Sequence, residues 1–145
     1  MRDLDTISTA ITAAETGHLV LGTLHTNGAA ESIERVINVF PPHHQQQVRT
    51  QLGLILQGIL SQQLIPTSNG LNRVLATELL IVNNAVRNLI REGKVHQIES
   101  VMQTSRNSGM HTLDYSLKKL YQENKVNWDD ILNRANNINY IKNLI

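Results

Sequence analysis

The 145-residue chain contains no cysteine, which excludes disulfides and any thiolate-held metal and suits a reducing compartment. It has no block of like charge. Thirteen Lys and Arg against twelve Asp and Glu leave a net charge of +1, so neither a nucleic-acid footprint nor a polybasic membrane patch is evident. No apolar run approaches the ~20 residues of a membrane span, and no signal-peptide pattern is present. No internal repeat is visible. A soluble, cytosolic chain is expected. The remainder is ordinary globular material, 41% hydrophobic and 17% charged, and long enough for one domain with a real core.

Chemical motifs are scarce as well. Gly17-x4-Gly22 and Gly53-x4-Gly58 have the glycine spacing of a phosphate loop, but Thr-Leu and Ile-Leu follow where Lys-Ser/Thr is needed. No nucleophile triad and no paired carboxylates are recognisable. On these residues alone the chain is not a complete phosphoryl-transfer enzyme.

What is present begins at Glu15–Thr26. The apolar run Leu19–Leu24 reads as a buried strand over 18–25 that ends in the polar tip Thr23, His25 and Thr26. Open α/β folds bind ligands outside the carboxyl ends of such strands. A helix precedes it over 3–16, with Leu4, Ile7, Ile11 and Ala14 at helical spacing and Gly17 just past its end. A second helix follows, capped by Asn27 and ended by Pro41-Pro42, with Ile33, Val36, Ile37 and Phe40 facing inward. A third is expected over about 45–60. Gln63–Pro66 and Leu71–Val82 read as a β-hairpin around Asn69-Gly70. Helices are then expected up to Gly93 and over about 94–104, 111–124 and 128–136, with Asn127 as a cap. The Asn-rich tail from Asn136 is expected to fray.

His18 and His25 flank the strand seven residues apart, so on a regular strand they point to opposite faces and do not share a metal. Either can be an ordinary hydrogen-bonded histidine. His25, at the strand tip, can also touch a phosphate oxygen or a catalytic water. His43-His44 reads as an exposed turn, and His96 and His111 carry no partner signal. Arg2 could clamp a phosphate. Arg87 and Arg91, at i and i+4, share one helix face, either as a solvated basic surface or as a patch for a carboxylate-bearing partner or neighbouring subunit.

Several segments together resemble the type IV pilus-retraction ATPases, in the secretion-ATPase branch of the RecA-like/AAA-like motors. They are Met1–Ile7, Thr12–Thr26, Ser32–Arg35, Val39–Pro41, Ala85–Glu92 and Gly109–Asp114. The resemblance implies an α/β fold: the C-terminal part of a RecA-like ATPase core over 1–82, with a β-hairpin, then a small all-helical subdomain over 83–145. It implies a hexameric ATPase using ATP and Mg2+, peripheral at the cytoplasmic face of the cell membrane, acting on an inner-membrane platform protein and not on nucleic acid. In that family Met-Arg-Asp follows the Walker B Gly-Glu, so the catalytic glutamate and the phosphate loop are expected upstream of Met1. Residue by residue, His18 and His25 match the histidine box, with His25 the nucleotide sensor, and Arg2 matches the arginine after Walker B. Arg87 and Arg91 match the retraction motif, and Thr26 is a cofactor-binding candidate. Half an ATP site is therefore expected, with no cofactor and no activity in this chain alone, one side of the 19–24 strand uncovered, and association through that edge. Assembly or type II secretion ATPases are the alternative within the class; many carry a four-cysteine zinc insertion, so the lack of cysteine and the Ala85–Glu92 motif favour retraction. A non-catalytic interaction module is the alternative outside it.

Overall fold

The computed structural model describes Met1 and residues 3–142. Helix α1, Leu4–Glu15, starts where Asp3 Oδ1 accepts the Thr6 amide at 2.8 Å, which supplies a partner to one of the unpaired first-turn donors. It ends at Gly17, whose φ of +91° suits a residue without Cβ. Then come α2, Ala29–Asn38, and α3, Pro42–Ile55, followed by strands β1, Gly58–Pro66, and β2, Arg73–Ile81. The chain continues through α4, Asn84–Arg91; α5, Ile98–Thr104; α6, Leu113–Gln122; α7, Trp128–Leu132; and α8, Ile138–Lys142. Single 3-10 turns cover Val95–Gln97 and Arg106–Ser108.

Five expectations change. Residues 18–26 pair with no strand, and the antiparallel hairpin β1–β2 is the only sheet among the described residues. Leu19 and Leu21 are 84% and 87% exposed, because an apolar run is buried only when neighbouring elements cover it. Within the run, the Met1 N-terminal amine donates to the Thr23 carbonyl at 2.7 Å, its thioether occupies the space a Cβ at Gly22 would need, and Leu24 packs partly buried against the apolar core.

Helix α2 is capped by Gly28 rather than Asn27. Pro41-Pro42 does less to end α2, which stops at Asn38, than to start α3, where Pro42 takes the first helical position; its missing N–H is no loss there. Helix α3 does not continue to residue 60. Leu56 turns to extended backbone and Gly58–Gln62 pair with Thr77–Ile81, so strand pairing overrides a helix-like apolar period. Finally, the tail is ordered beyond Asn136 among the described residues. Residues 138–142 are helical and Ile141 is fully buried.

Two aliphatic clusters form the core. The larger joins Ile7 and Ile11 of α1, Ile33 and Ile37 of α2, Val48 and Leu52 of α3, Leu80 of β2, Val86 and Ile90 of α4, and Ile98 and Met102 of α5. The smaller joins Ile65 and Ala76 of the hairpin to Leu113 and Leu117 of α6, Ile131 of α7 and Ile141 of α8. The inward face of β2 therefore serves both, Leu80 in one and Ala76 in the other. Glu78 lies between them.

Candidate functional site

His25 is exposed in the segment that leads into α2. The next residues are tightly tied. Thr26 Oγ1 lies 2.6 Å from Ser32 Oγ, which donates to the Gly28 carbonyl at 2.8 Å. The Asn27 amide donates to Glu31 Oε2 at 2.9 Å. Residues 26–28 are thus wound onto the first turn of α2, and His25 stands just before that turn. A helix N-terminus favours negative charge in its neighbourhood.

His18 is also exposed, on the far side of Gly17, with Nδ1 3.1 Å from Thr16 Oγ1. It borders a shallow pocket of ≈ 390 Å³ with Ser8, Thr9, Thr12, Ala13 and Thr16. The hydroxyls of Thr9, Thr12 and Thr16 donate to carbonyls of α1 itself. His25 is not part of this pocket. Arg2 lies outside the described residues. Among the described residues, no three His, Asp or Glu side chains group to hold a metal ion.

The arginine pair sits elsewhere. Asn83 Oδ1 caps α4 through the Val86 amide at 3.0 Å. One turn on, Arg87 Nη1 donates to the Gly53 and Leu54 carbonyls at 2.8 and 2.6 Å. Those carbonyls lie in the last turn of α3, where orphan acceptors and the negative end of the helix dipole favour a cation. Arg87 is therefore committed to the α3–α4 contact, whereas Arg91 is exposed beside Asn88, whose Oδ1 accepts from its Nη2. A Cβ at Gly53 would come within 3.1 Å of Arg91 Cγ and 3.2 Å of the Arg87 carbonyl, so glycine permits the close approach. Asn84, Arg87, Asn88 and Arg91 line a polar groove of ≈ 360 Å³ against Gly53 and Leu54.

Sequence reasoning assigned no role to three polar residues that organise these elements, Glu78, Asp114 and His111. Glu78 is 5% exposed; its Oε1 accepts the Ala29 amide at 2.7 Å and its Oε2 the Leu113 amide at 3.2 Å. The available signal was a charged residue on the inward face of a strand with period 2. Asp114 is fully buried and accepts the Asn136 and Asn137 amides, both at 2.8 Å. Burial raises its pKa, and the two amides pull it back in part. Burial raises Glu99 too, helped by the negative charges of Asp114 and Glu78. His111, without a partner signal in the sequence, sets Nε2 2.9 Å from Thr77 Oγ1 and bridges backbone to Leu79.

The sequence model of the type II/IV secretion system protein family matches residues 1–136. The chain belongs to this family. The twitching motility protein of Neisseria gonorrhoeae is 50% identical over 94% of the chain, and the type IV pilus retraction ATPase PilT of Pseudomonas aeruginosa is 49% identical over 93%. The chain spans 37% and 39% of the length of these two relatives. Among solved structures, the pilus retraction motor PilT with bound ADP matches with a TM-score of 0.87 and 48% identity. That match covers 99% of this chain and 40% of PilT. The secretion-family α/β ATPase fold expected from the sequence is thereby established, and the resemblance to retraction ATPases holds at about half identity across nearly the whole chain. No described helix is long and apolar enough to cross a membrane.

Proposed function

We propose that this chain is the C-terminal motor region of a hexameric ATPase that powers type IV pilus retraction. The carrying observation is the likeness, over 93% or more of its length, to proteins named for twitching motility and pilus retraction, one of them solved with ADP. In the whole protein, residues upstream hold ATP and Mg2+. His25 faces the γ-phosphate or the attacking water from just before the first turn of α2, and Thr26 stiffens that turn through Ser32. Phosphoryl transfer is mostly positioning and charge stabilisation, so a donor at this point contributes without holding the nucleotide. His18 and Arg2 complete the histidine box and the segment after Walker B. Residues 1–82 belong to the ATPase core and 83–145 to the helical part, where Arg87 and Arg91 serve force transmission. The motor works at the cytoplasmic face of the membrane on a platform protein.

The test is ATP turnover by the whole protein. His25→Ala is expected to lower kcat by about 100-fold, the scale of one lost transition-state donor, with ADP affinity held within about threefold. Unchanged turnover defeats the role given to His25. The 145-residue chain by itself is expected to hydrolyse no ATP, and activity that follows it through purification would overturn the half-site reading.

A further inference from the structure

Glu78 is a buried acid that the ATPase reading does not use. It stands between Ala76 and Leu80, both with no exposure, in a position that an aliphatic residue would fill at lower desolvation cost. Its two oxygens go to two different helices. Helix α2 has no side-chain cap of its own, since its cap residue is Gly28, and Glu78 Oε1 reaches across the fold to take the Ala29 amide. A Cβ at residue 28 would sit 3.3 Å from that oxygen, so the glycine admits it. Helix α6 already has Thr112 Oγ1 on the Tyr115 amide at 3.3 Å, and Glu78 Oε2 adds the Leu113 amide. One rigid carboxylate thus fixes the start of α2 to the start of α6.

The Ala29 amide closes the short segment that carries His25 and Thr26, while Leu113 roots α6 in the smaller apolar cluster with α7 and α8. We infer that Glu78 is a positioning residue for the His25 tip, holding residues 25–28 in register with the C-terminal helices so that displacement of either is felt by the other. This rests on the reading of His25 as a nucleotide-facing group.

The test uses the whole protein and four variants, with ATP kinetics read beside hydrogen exchange at the Ala29 and Leu113 amides. Glu78→Gln keeps one acceptor and presents an NH2 to the other amide; Glu78→Ala keeps none. Exchange is expected to speed up about tenfold at one amide in the Gln variant and at both in the Ala variant. kcat should fall about tenfold in Glu78→Gln, with KM for ATP within about twofold. Leu117→Ala, a cavity in the smaller cluster that leaves both amides bonded, is the control for lost stability and should keep kcat within about twofold. Full kcat in Glu78→Gln, unchanged exchange, or an equal loss in Leu117→Ala would each overturn the inference. Loss of turnover in His25→Ala with full activity in Glu78→Gln defeats this inference alone. Unchanged turnover in His25→Ala defeats the reading of His25 and this inference with it.

Discussion

Removing the Asp114 carboxylate is expected to release the C-terminal helix. Asp114 lies fully buried in α6 and accepts the Asn136 and Asn137 amides at 2.8 Å each. Two hydrogen bonds to a charged group are worth ~3–6 kcal/mol together if the amides stay buried without a partner. The chain has a cheaper escape, because residues 136–142 can undock, let water take the amides, and forfeit the burial of Ile141, ~1.5–3 kcal/mol. The cheaper route sets the cost, so Asp114→Ala should destabilise by ~2–3 kcal/mol in urea unfolding, with exchange at Asn136 and Asn137 accelerated before global unfolding. The charge also leaves a pH signature. Burial raises the folded pKa of Asp114 above 3.8, so the folded state holds the proton more tightly than the unfolded chain. The favourable contribution is complete below 3.8 and is lost as pH rises through the raised folded value. Asp114→Asn keeps one acceptor and no charge. It should cost less than alanine, and the wild-type advantage over it should shrink as pH rises across that window. A loss below about 0.5 kcal/mol in Asp114→Ala, with both amides still protected, would refute the reasoning.

Arg87→Ala removes the guanidinium from the Gly53 and Leu54 carbonyls and should cost ~1–2 kcal/mol of stability by urea unfolding. In the whole protein it should abolish retraction with a milder loss of ATP turnover, measured by pilus retraction and phosphate release; an equal loss of both would remove the motor assignment. The exposed Leu19 and Leu21 should make the 145-residue chain self-associate. Light scattering should report multimers that Leu21→Lys reduces, and a monodisperse monomer at high concentration would refute that expectation.

Elements set by local rules were legible in the sequence. Gly17 ends α1 as its place just past the apolar period suggests, and Asn69-Gly70 turns the hairpin with Gly70 at φ +70°. Elements set by distant partners were not. An apolar run such as Leu19–Leu24 spells burial, yet no described strand pairs with it and Leu19 and Leu21 stay exposed. Gly58-Ile59-Leu60 continue the period of α3, and only pairing with Leu79–Ile81 draws them into β1. The order of the tail comes from Asp114, 22 residues before Asn136. His25 was legible as the residue just before the next helix because Asn27-Gly28 announces that helix, although the strand expected to end there is not formed. The hold on the start of that helix was not legible, because Glu78 is 49 residues from the Ala29 amide it accepts.

Glu78, Arg87 and Asp114 are three instances of one device. Each is a charged side chain that reaches from its own element to the unpaired backbone groups at the end of another. Arg87 takes carbonyls at the C-terminus of α3, Glu78 takes amides at the starts of α2 and α6, and Asp114 takes the amides that lead into α8. The signs agree with the helix dipole every time, cation at the carboxyl end and anion at the amino end. The helices are short, from 5 residues in α7 and α8 to 14 in α3, so their ends make up a large share of each. Aliphatic packing is non-directional and fixes angles loosely. A charged hydrogen bond at a helix end fixes both distance and direction. In a domain whose proposed work is to carry a nucleotide-dependent shift from one end of the fold to the other, such clamps are where stiffness has to sit. The substitutions that cut them should therefore impair coupled motion beyond what their stability cost explains.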